Sequence, residues 1–321
     1  MKSTITEIDV SVVIVCMNNY EQLKDCLNSI KKYTQEVSYE VLLVAYFFSE
    51  DNLKRLYEEY PWIKVILSNE IRGFSANNNL ALRQAQGRYC FVLNDDTYMT
   101  MPVIDMLTKK ADFLSDVTVL TPQILLPSGK IQYKGMTPIN WKIWLKVLFK
   151  LRKDNYDPEK KWVSENGFFQ TYNILGAAFL IRTDVFKKVG FLDERYFYGP
   201  EDRALSTLLN EQGYKCYVDS DIKIYHIAGG TAGARSKTAI ATRPANRKGW
   251  VIYLDENKRW LHTFLCMMVW LNSACWSVGW FIKRIMGDKY AMISFHANIN
   301  VCRTIFNNQT TTETFMRFYK K

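Results

Sequence analysis

The feature that most constrains this chain lies in its first hundred residues, where four short apolar runs alternate with stretches of helical spacing. Val10–Cys16 (VSVVIVC) is an unbroken, β-branched run, the pattern expected of a parallel strand covered on both faces. Tyr20, Leu23, Leu27 and Ile30 then recur at helical intervals. Tyr39–Val44 predicts a second strand, 51–60 a second helix and Trp62–Leu67 a third strand. Residues 75–86 predict a helix stopped by Gly87, and Tyr89–Leu93 a fourth strand. This βαβαβαβ order implies an α/β doubly wound sheet. Ligands of such sheets bind beyond the carboxyl ends of the strands. Cys16–Asn19 and Asn94–Thr97 fall at such ends, which makes them the first site candidates.

A second apolar block follows. Ile174–Ile181 predicts a strand, Asp184–Val189 a short helix ending at Gly190, and 201–212 a helix ending at Gly213. Residues 216–218 and 222–225 predict short strands leading into His226.

Four clusters carry chemistry. Asn94-Asp95-Asp96 places adjacent carboxylates at a strand end, where a hard divalent ion bridging carboxylate and phosphate would relieve their repulsion. A solvated Asp-rich turn gives the same three letters. Glu201-Asp202 opens a helix, where carboxylates serve as dipole partners or as a general base. His226 precedes Gly229-Gly230 and suits either a structural hydrogen bond or a metal nitrogen ligand. Arg72-Gly73 leads into Ser75–Asn79; glycine permits close backbone approach there, and the helix N-terminus beyond it can hold phosphate.

Taken in order, these segments resemble the family 2 glycosyltransferases. The resemblance rests on Val-Val-Ile-Val with Asn18, Gly73 to Asn79, and Ala85-x-Gly87-x-Tyr89 leading to Leu93-Asn94-Asp95-Asp96-Thr97. It continues through Gly176–Arg182, Val189–Phe197, Glu201-Asp202 and His226, covering about residues 10–230. The rhamnosyltransferase-like enzymes of bacterial surface polysaccharide synthesis are the most similar subgroup. The resemblance implies a GT-A fold with a Rossmann-like nucleotide-binding half and an acceptor half. It further implies a nucleotide-diphosphate sugar donor, Mg²⁺ or Mn²⁺, and inversion at the anomeric carbon. Carried over residue by residue, Asp96 and His226 would bind the metal, with Asn94 in place of the first motif carboxylate beside Asp95. Asp202 would be the general base and Glu201 would orient acceptor or base. Cys16, Asn18, Gly73 and Asn79 would line the nucleoside pocket. The position that usually reads the nucleobase is Ala45 instead of Asp, so base recognition must fall to Glu50, Asp51 or a stacking aromatic. Ala45 and Asn94 also motivate the alternative of a non-catalytic nucleotide-sugar-binding or scaffold member of the same fold.

Charge divides the chain. Residues 1–229 hold 28 basic and 28 acidic side chains, whereas 230–321 hold 14 and 4, so the whole net charge of +10 lies in the last segment. Such a tail calls for an anionic partner. Within it, 260–282 has no Asp, Glu, Lys or Arg but has Trp260, Trp270, Trp276 and Trp280, with Lys258-Arg259 and Lys283-Arg284 at its ends. That pattern fits a helix in an anionic membrane surface better than a nucleic-acid groove. Residues 139–153, with Trp141, Trp144, Leu145 and Leu148 on one helical face and lysines on another, have a similar interfacial pattern. The expected organisation is a GT-A domain over 1–229, a basic loop over the active site at 230–259 and a helical membrane-associating region at 260–321. Arg235, Lys237, Arg243, Arg247 and Lys248 would form a phosphate clamp in that loop.

Seven cysteines, an odd number without a CxxC pair, argue against a disulfide framework and for a reducing compartment. Residues 1–9 contain no apolar signal region. The expected location is cytoplasmic, peripheral on the inner face of the membrane. The expected partners are a nucleotide sugar and a glycan or lipid-linked saccharide acceptor; a homo-oligomer is compatible with this reading.

Overall fold

A computed structural model describes residues 8–114, 116–153, 161–227 and 238–319. Its first half runs β1 (Val10–Cys16), α1 (Tyr20–Tyr33), β2 (Tyr39–Tyr46), α2 (Glu50–Glu59), β3 (Lys64–Ser68), α3 (Phe74–Leu82) and β4 (Tyr89–Asn94). Then come β5 (Thr97–Met99), α4 (Val103–Phe113), β6 (Val117–Leu125), β7 (Ile131–Tyr133), α5 (Trp141–Leu148), β8 (Phe168–Thr171) and β9 (Ala178–Arg182). The remainder is α6 (Thr183–Lys188), α7 (Glu201–Glu211), β10 (Lys215–His226), α8 (Ala239–Leu254), α9 (Arg259–Ile285), α10 (Ala291–Thr304) and α11 (Thr311–Phe318).

The strands form one mixed sheet in the order β3-β2-β1-β4-β9-β6-β10-β5, with β7 added to β6 and β8 to β10. β1 runs parallel to β2 and β4, and β2 parallel to β3. β9 is antiparallel to both β4 and β6, so it joins the parallel half to the second half. The continuous run in β1 is explained by its two covered faces. Val10, Val12, Ile14 and Cys16 pack with Leu23, Leu27 and Ile30 of α1 and with Val103 and Leu107 of α4. Val13 packs on the opposite face with Leu82 of α3, Phe186 of α6 and Leu205 of α7. The result is the expected three-layer α/β architecture.

The predicted elements of 10–94 are all present, with ends shifted by a few residues. The two short strands expected before His226 are one strand, β10, whose pairing with β6 shifts register between Asp219 and Lys223. The irregular middle of the strand interrupts the apolar pattern, which is why it reads as two pieces.

Two expectations about the basic C-terminal part need correction. Residues 239–254 form helix α8 rather than a loop, because Ala241, Ala245, Val251 and Leu254 are buried at helical intervals. Residues 228–237, including Arg235 and Lys237, lie outside the described residues. Lys248 is no phosphate clamp: its buried Nζ donates to Asn307 O at 2.8 Å and to Asn307 Oδ1 and Gln309 O at 2.5 Å each. Likewise, the apolar face of α5 is used internally. Trp144 and Leu148 pack with Leu254 of α8 and Leu261 and Leu265 of α9, as a core-facing amphipathic helix would.

The C-terminal helices are joined to the sheet domain near the start of α7. Phe197 and Phe315 stack at 4.0 Å. Thr311 Oγ1 accepts from Phe197 N at 3.2 Å and donates to Arg195 O at 2.6 Å. Gly73 completes the junction: Phe74 N donates to Phe197 O at 2.9 Å, and a Cβ on Gly73 would lie 2.2 Å from that oxygen and 2.6 Å from Phe197 Cα. Both obstacles are backbone, so they cannot rotate away. Gly73→Ala is therefore expected to destabilise the protein by about 3 kcal/mol, as overpacking does, measured as a fall in denaturation midpoint at constant m-value.

Candidate active site

The site is assembled where β4 ends. Asn94 N donates to Ala177 O at 2.9 Å, Thr97 Oγ1 donates to Asn94 O at 2.8 Å, and Ile227 N donates to Asp96 O at 2.9 Å. The 94–97 turn is thus fixed from three directions. β5, which leaves it, pairs antiparallel with β10 so that Thr97 lies opposite His226. This brings together two residues 130 positions apart, with His226 Nε2 lying 3.0 Å from Asp96 Oδ1.

The chemistry of that contact is informative. His226 Nδ1 lies 2.8 Å from Gln132 Oε1, an acceptor, so Nδ1 carries the proton. In the neutral ring, Nε2 then presents a lone pair towards Asp96. Asp96 Oδ1 is buried and has no hydrogen-bond donor. Two electron-rich atoms 3.0 Å apart require a cation between or beside them, or protonation of the ring. A neutral His whose far nitrogen is held by an amide oxygen is also the usual arrangement of a metal-ligating imidazole. Among the described residues no group of three or more His, Cys, Asp and Glu side chains could hold a metal ion. The pair therefore fits a hard divalent ion that draws its other ligands from substrate phosphate and water.

Asp95 points to the other side of the turn. Burial pushes it up to about 6, opposed by a hydrogen bond from the Cys16 thiol and reinforced by the charge of Asp96. Asn94 remains at the strand end, with Nδ2 3.5 Å from His226 Nε2.

The second carboxylate pair opens α7. Asp202 Oδ2 accepts from Gly176 N at 3.2 Å and Oδ1 from Arg203 N at 2.8 Å. Because Gly176 adjoins Ala177, which holds Asn94, one stretch of backbone links the two carboxylate clusters. Glu201 is buried and accepts from Gly199 N. Burial raises both pKa values; Glu201 reaches about 8, with the charge of Asp202 as the next cause. The Arg203 guanidinium offsets part of the rise at Asp202. The Tyr198 hydroxyl is in electrostatic range of both clusters: its pKa is raised by desolvation and then by the charges of Glu201, Asp96 and Asp202.

Other predicted residues take supporting positions. Asn18, in the left-handed region (φ 52), accepts from Ser49 N at 2.9 Å and Asn52 Nδ2 at 3.0 Å, tying the loop after β1 to the start of α2. Asn79 is buried and exchanges hydrogen bonds with Leu192, its Nδ2 also reaching Glu194 Oε1 at 2.8 Å. Its amide thus fixes the 192–194 loop. Gly73 supports the Phe197 backbone. Ala45, one residue before the end of β2, lies opposite Cys16. Next to it the Tyr46 and Phe47 rings are 4.7 Å apart, with Phe47 at φ 51. Sequence reasoning missed Gln132 and Tyr198. Gln132 lies on a three-residue strand with no periodic signal, whereas Tyr198 sits inside the Phe197–Asp202 run, where it could have been noticed.

The mixed sheet with helices on both faces is of the GT-A type. Residues 11–190, a little over half of the chain, match the model of glycosyl transferase family 2, and the chain belongs to that family. The O-antigen biosynthesis protein RfbC of Myxococcus xanthus is 22% identical over 231 residues. That match spans 68% of this chain but only 17% of RfbC. The structure of GalNAc-T7 with UDP, GalNAc and Mn²⁺ shares the fold with a TM-score of 0.55 and 17% identity, over 75% of this chain and 51% of that one. The mannosyltransferase PcManGT from Pyrobaculum calidifontis, in complex with GDP-Man and Mn²⁺, aligns at TM-score 0.50 and 14% identity, over 94% of this chain and 88% of that one.

Glu201 gives a test of the site's electrostatics. Its folded-state pKa, about 8, exceeds the ordinary 4.5, so the folded protein keeps a proton that the unfolded chain has released. Stability contributed by this group is present below pH 4.5 and is lost as pH rises to 8. Glu201→Gln keeps an acceptor for Gly199 N and removes the titration. The variant is expected to flatten the fall in melting temperature across that window and to exceed wild type above it.

Proposed function

We propose that this protein is an inverting, metal-dependent glycosyltransferase that moves a hexosyl or rhamnosyl group from a nucleotide-diphosphate sugar to a hydroxyl of a lipid-linked or surface-polysaccharide acceptor. The observation that carries the reading is that two dissimilar acid centres both act on the Tyr198 hydroxyl. One is the Asp96–His226 pair, whose facing Oδ1 and Nε2 suit a cation; the other is the Glu201–Asp202 pair at the start of α7. Asp96 and His226 would hold Mg²⁺ or Mn²⁺, which supplies charge stabilisation for the departing diphosphate. The Mn²⁺ in both structural neighbours supports this class of cofactor.

Roles within the second pair follow from their surroundings. Two carboxylates this close do not ionise independently. Glu201, raised to about 8 by burial and by the charge of Asp202, keeps the proton. Asp202, with two backbone N–H donors and the Arg203 charge, ionises first and accepts the acceptor's hydroxyl proton as the new bond forms. With Asp absent at position 45, the Tyr46–Phe47 step beside the strand ends is the surface for nucleobase stacking. The match to RfbC supports a polysaccharide acceptor.

Membrane attachment belongs to the same proposal. α9 is long and apolar enough to cross a membrane, with mean hydropathy 1.4, yet only 33% of its most apolar window is buried. Trp260, Trp270, Leu271, Phe281 and Ile282 are exposed, and Lys150 lies 4.1 Å over the Trp276 ring. This supports a helix lying in the headgroup region on the cytoplasmic face.

Two measurements test the reading. Asp202→Asn is expected to lower turnover about 10³-fold while leaving Mn²⁺-dependent donor binding intact; wild-type turnover should rise with pH as the elevated Asp202 ionises. Full activity in Asp202→Asn under saturating substrates would sink the base assignment. The double variant Trp270→Asp, Phe281→Asp should weaken co-sedimentation with phosphatidylglycerol vesicles about tenfold without changing turnover of a soluble acceptor.

A further inference from the structure

α8 carries a basic feature that the chemistry above does not use. Arg243 and Arg247 stand one turn apart on one stripe of the helix, both half-buried. Arg243 Nη1 donates to Ser294 O at 3.2 Å. Among the described residues, Arg247 has no hydrogen-bond acceptor and neither guanidinium has a carboxylate within ion-pairing distance. Burial lowers both pKa values, that of Arg247 to about 10, with the Arg243 charge as the further cause. Among the described residues, the charge acting on Arg247 is repulsive. Two half-buried like charges without a counter-ion disfavour each other, and guanidinium forks one turn apart match the oxygens of a phosphate.

The surroundings give the pair a direction. On another side of α8, Asn246 Nδ2 donates to Tyr198 O at 3.0 Å. Gly249 packs so tightly that a Cβ would lie 2.6 Å from Gly199 O. The helix is thus pressed against the loop that delivers Glu201 and Asp202. Trp250, next on the arginine stripe, stacks on Trp144 at 5.8 Å and lies 5.6 Å from the Arg203 guanidinium carbon. Along the helix, Arg247 and Trp250 are separated by about 5 Å.

We infer that Arg243 and Arg247 form a phosphate-binding site distinct from the Asp96–His226 end, taking a phosphate or diphosphate ester that lies along α8 while its other end reaches Asp202. Two substrates could supply that group: the lipid diphosphate of a carrier-linked acceptor, or the nucleoside diphosphate of the donor. The α8 side of Asp202 favours the acceptor, an assignment that rests on the proposed sugar transfer; the phosphate site itself does not.

Binding measurements without turnover test this. Thermal unfolding of the full chain, wild type, Arg247→Met, Arg247→Lys and Arg243→Met, would be followed with inorganic pyrophosphate or geranyl diphosphate in EDTA. Parallel samples would contain UDP or GDP with Mn²⁺. The first two ligands should raise the wild-type melting temperature. Their affinity should fall about tenfold or more in Arg247→Met and Arg243→Met and be partly retained in Arg247→Lys. Unliganded Arg247→Met should melt at or above wild type, because the repulsion between Arg243 and Arg247 is removed. Unchanged nucleoside diphosphate binding supports the acceptor assignment; a parallel loss there, with geranyl diphosphate unaffected, gives the site to the donor and overturns it. Unaltered affinity for every phosphate ligand, or a lower unliganded melting temperature in Arg247→Met, would overturn the phosphate site. Absence of sugar transfer with these binding results intact would count against the proposed function alone.

Discussion

The structure depends most on the junction between the turn after β4 and the end of β10. Asp96 and His226 are distant in sequence, and neither turn nor strand end could hold a cation alone. Three residues of β5, paired antiparallel to β10, bring them to 3.0 Å. Tyr98 and Tyr225 stack at 5.0 Å on the same ladder, so backbone pairing and ring contact both fix the register. A slip of one residue would turn His226 to the opposite face of the sheet. The proposed cation-binding pair therefore rests on the edge of the sheet rather than on its apolar centre.

A second consequence follows from β9. Because it is inserted antiparallel between β4 and β6, its entry segment passes the carboxyl end of β4. Ala177 O binds Asn94 N and Gly176 N binds Asp202. The two carboxylate clusters are thus held by consecutive residues of one strand entry. Backbone geometry thereby fixes the chain segments that carry them relative to each other, as the proposed transfer between two groups requires.

The sheet and its layers were legible from the sequence because β1, β2 and β4 are covered on both faces and read as apolar runs. The carboxylates and His226 were legible because their order and neighbours are specific. Gln132 was not, since a short strand joined to the sheet by one neighbour leaves no periodicity. The intended nucleoside contacts Asn18 and Asn79 illustrate another limit. Both sit where a ligand contact would be expected, yet the first fastens a loop to α2 and the second fastens the 192–194 loop. A polar residue near a strand end has the same one-letter identity whether it meets ligand or backbone. Sequence charge was similarly ambiguous: Lys248 and Arg247 are adjacent, but the first is saturated by Asn307 and Gln309 and the second has no acceptor among the described residues.

That last contrast separates structure from function within one helix. Lys248 has its pKa lowered to about 8 by burial, yet its three acceptors make it a fastening between α8 and the segment before α11. Arg247, one position earlier, is half-buried without that compensation. The proposed phosphate ligand would supply the missing counter-charge there. The same helix presses on the Tyr198–Pro200 loop through Asn246 and Gly249, so an anion held on α8 would act directly on the segment that places Glu201 and Asp202.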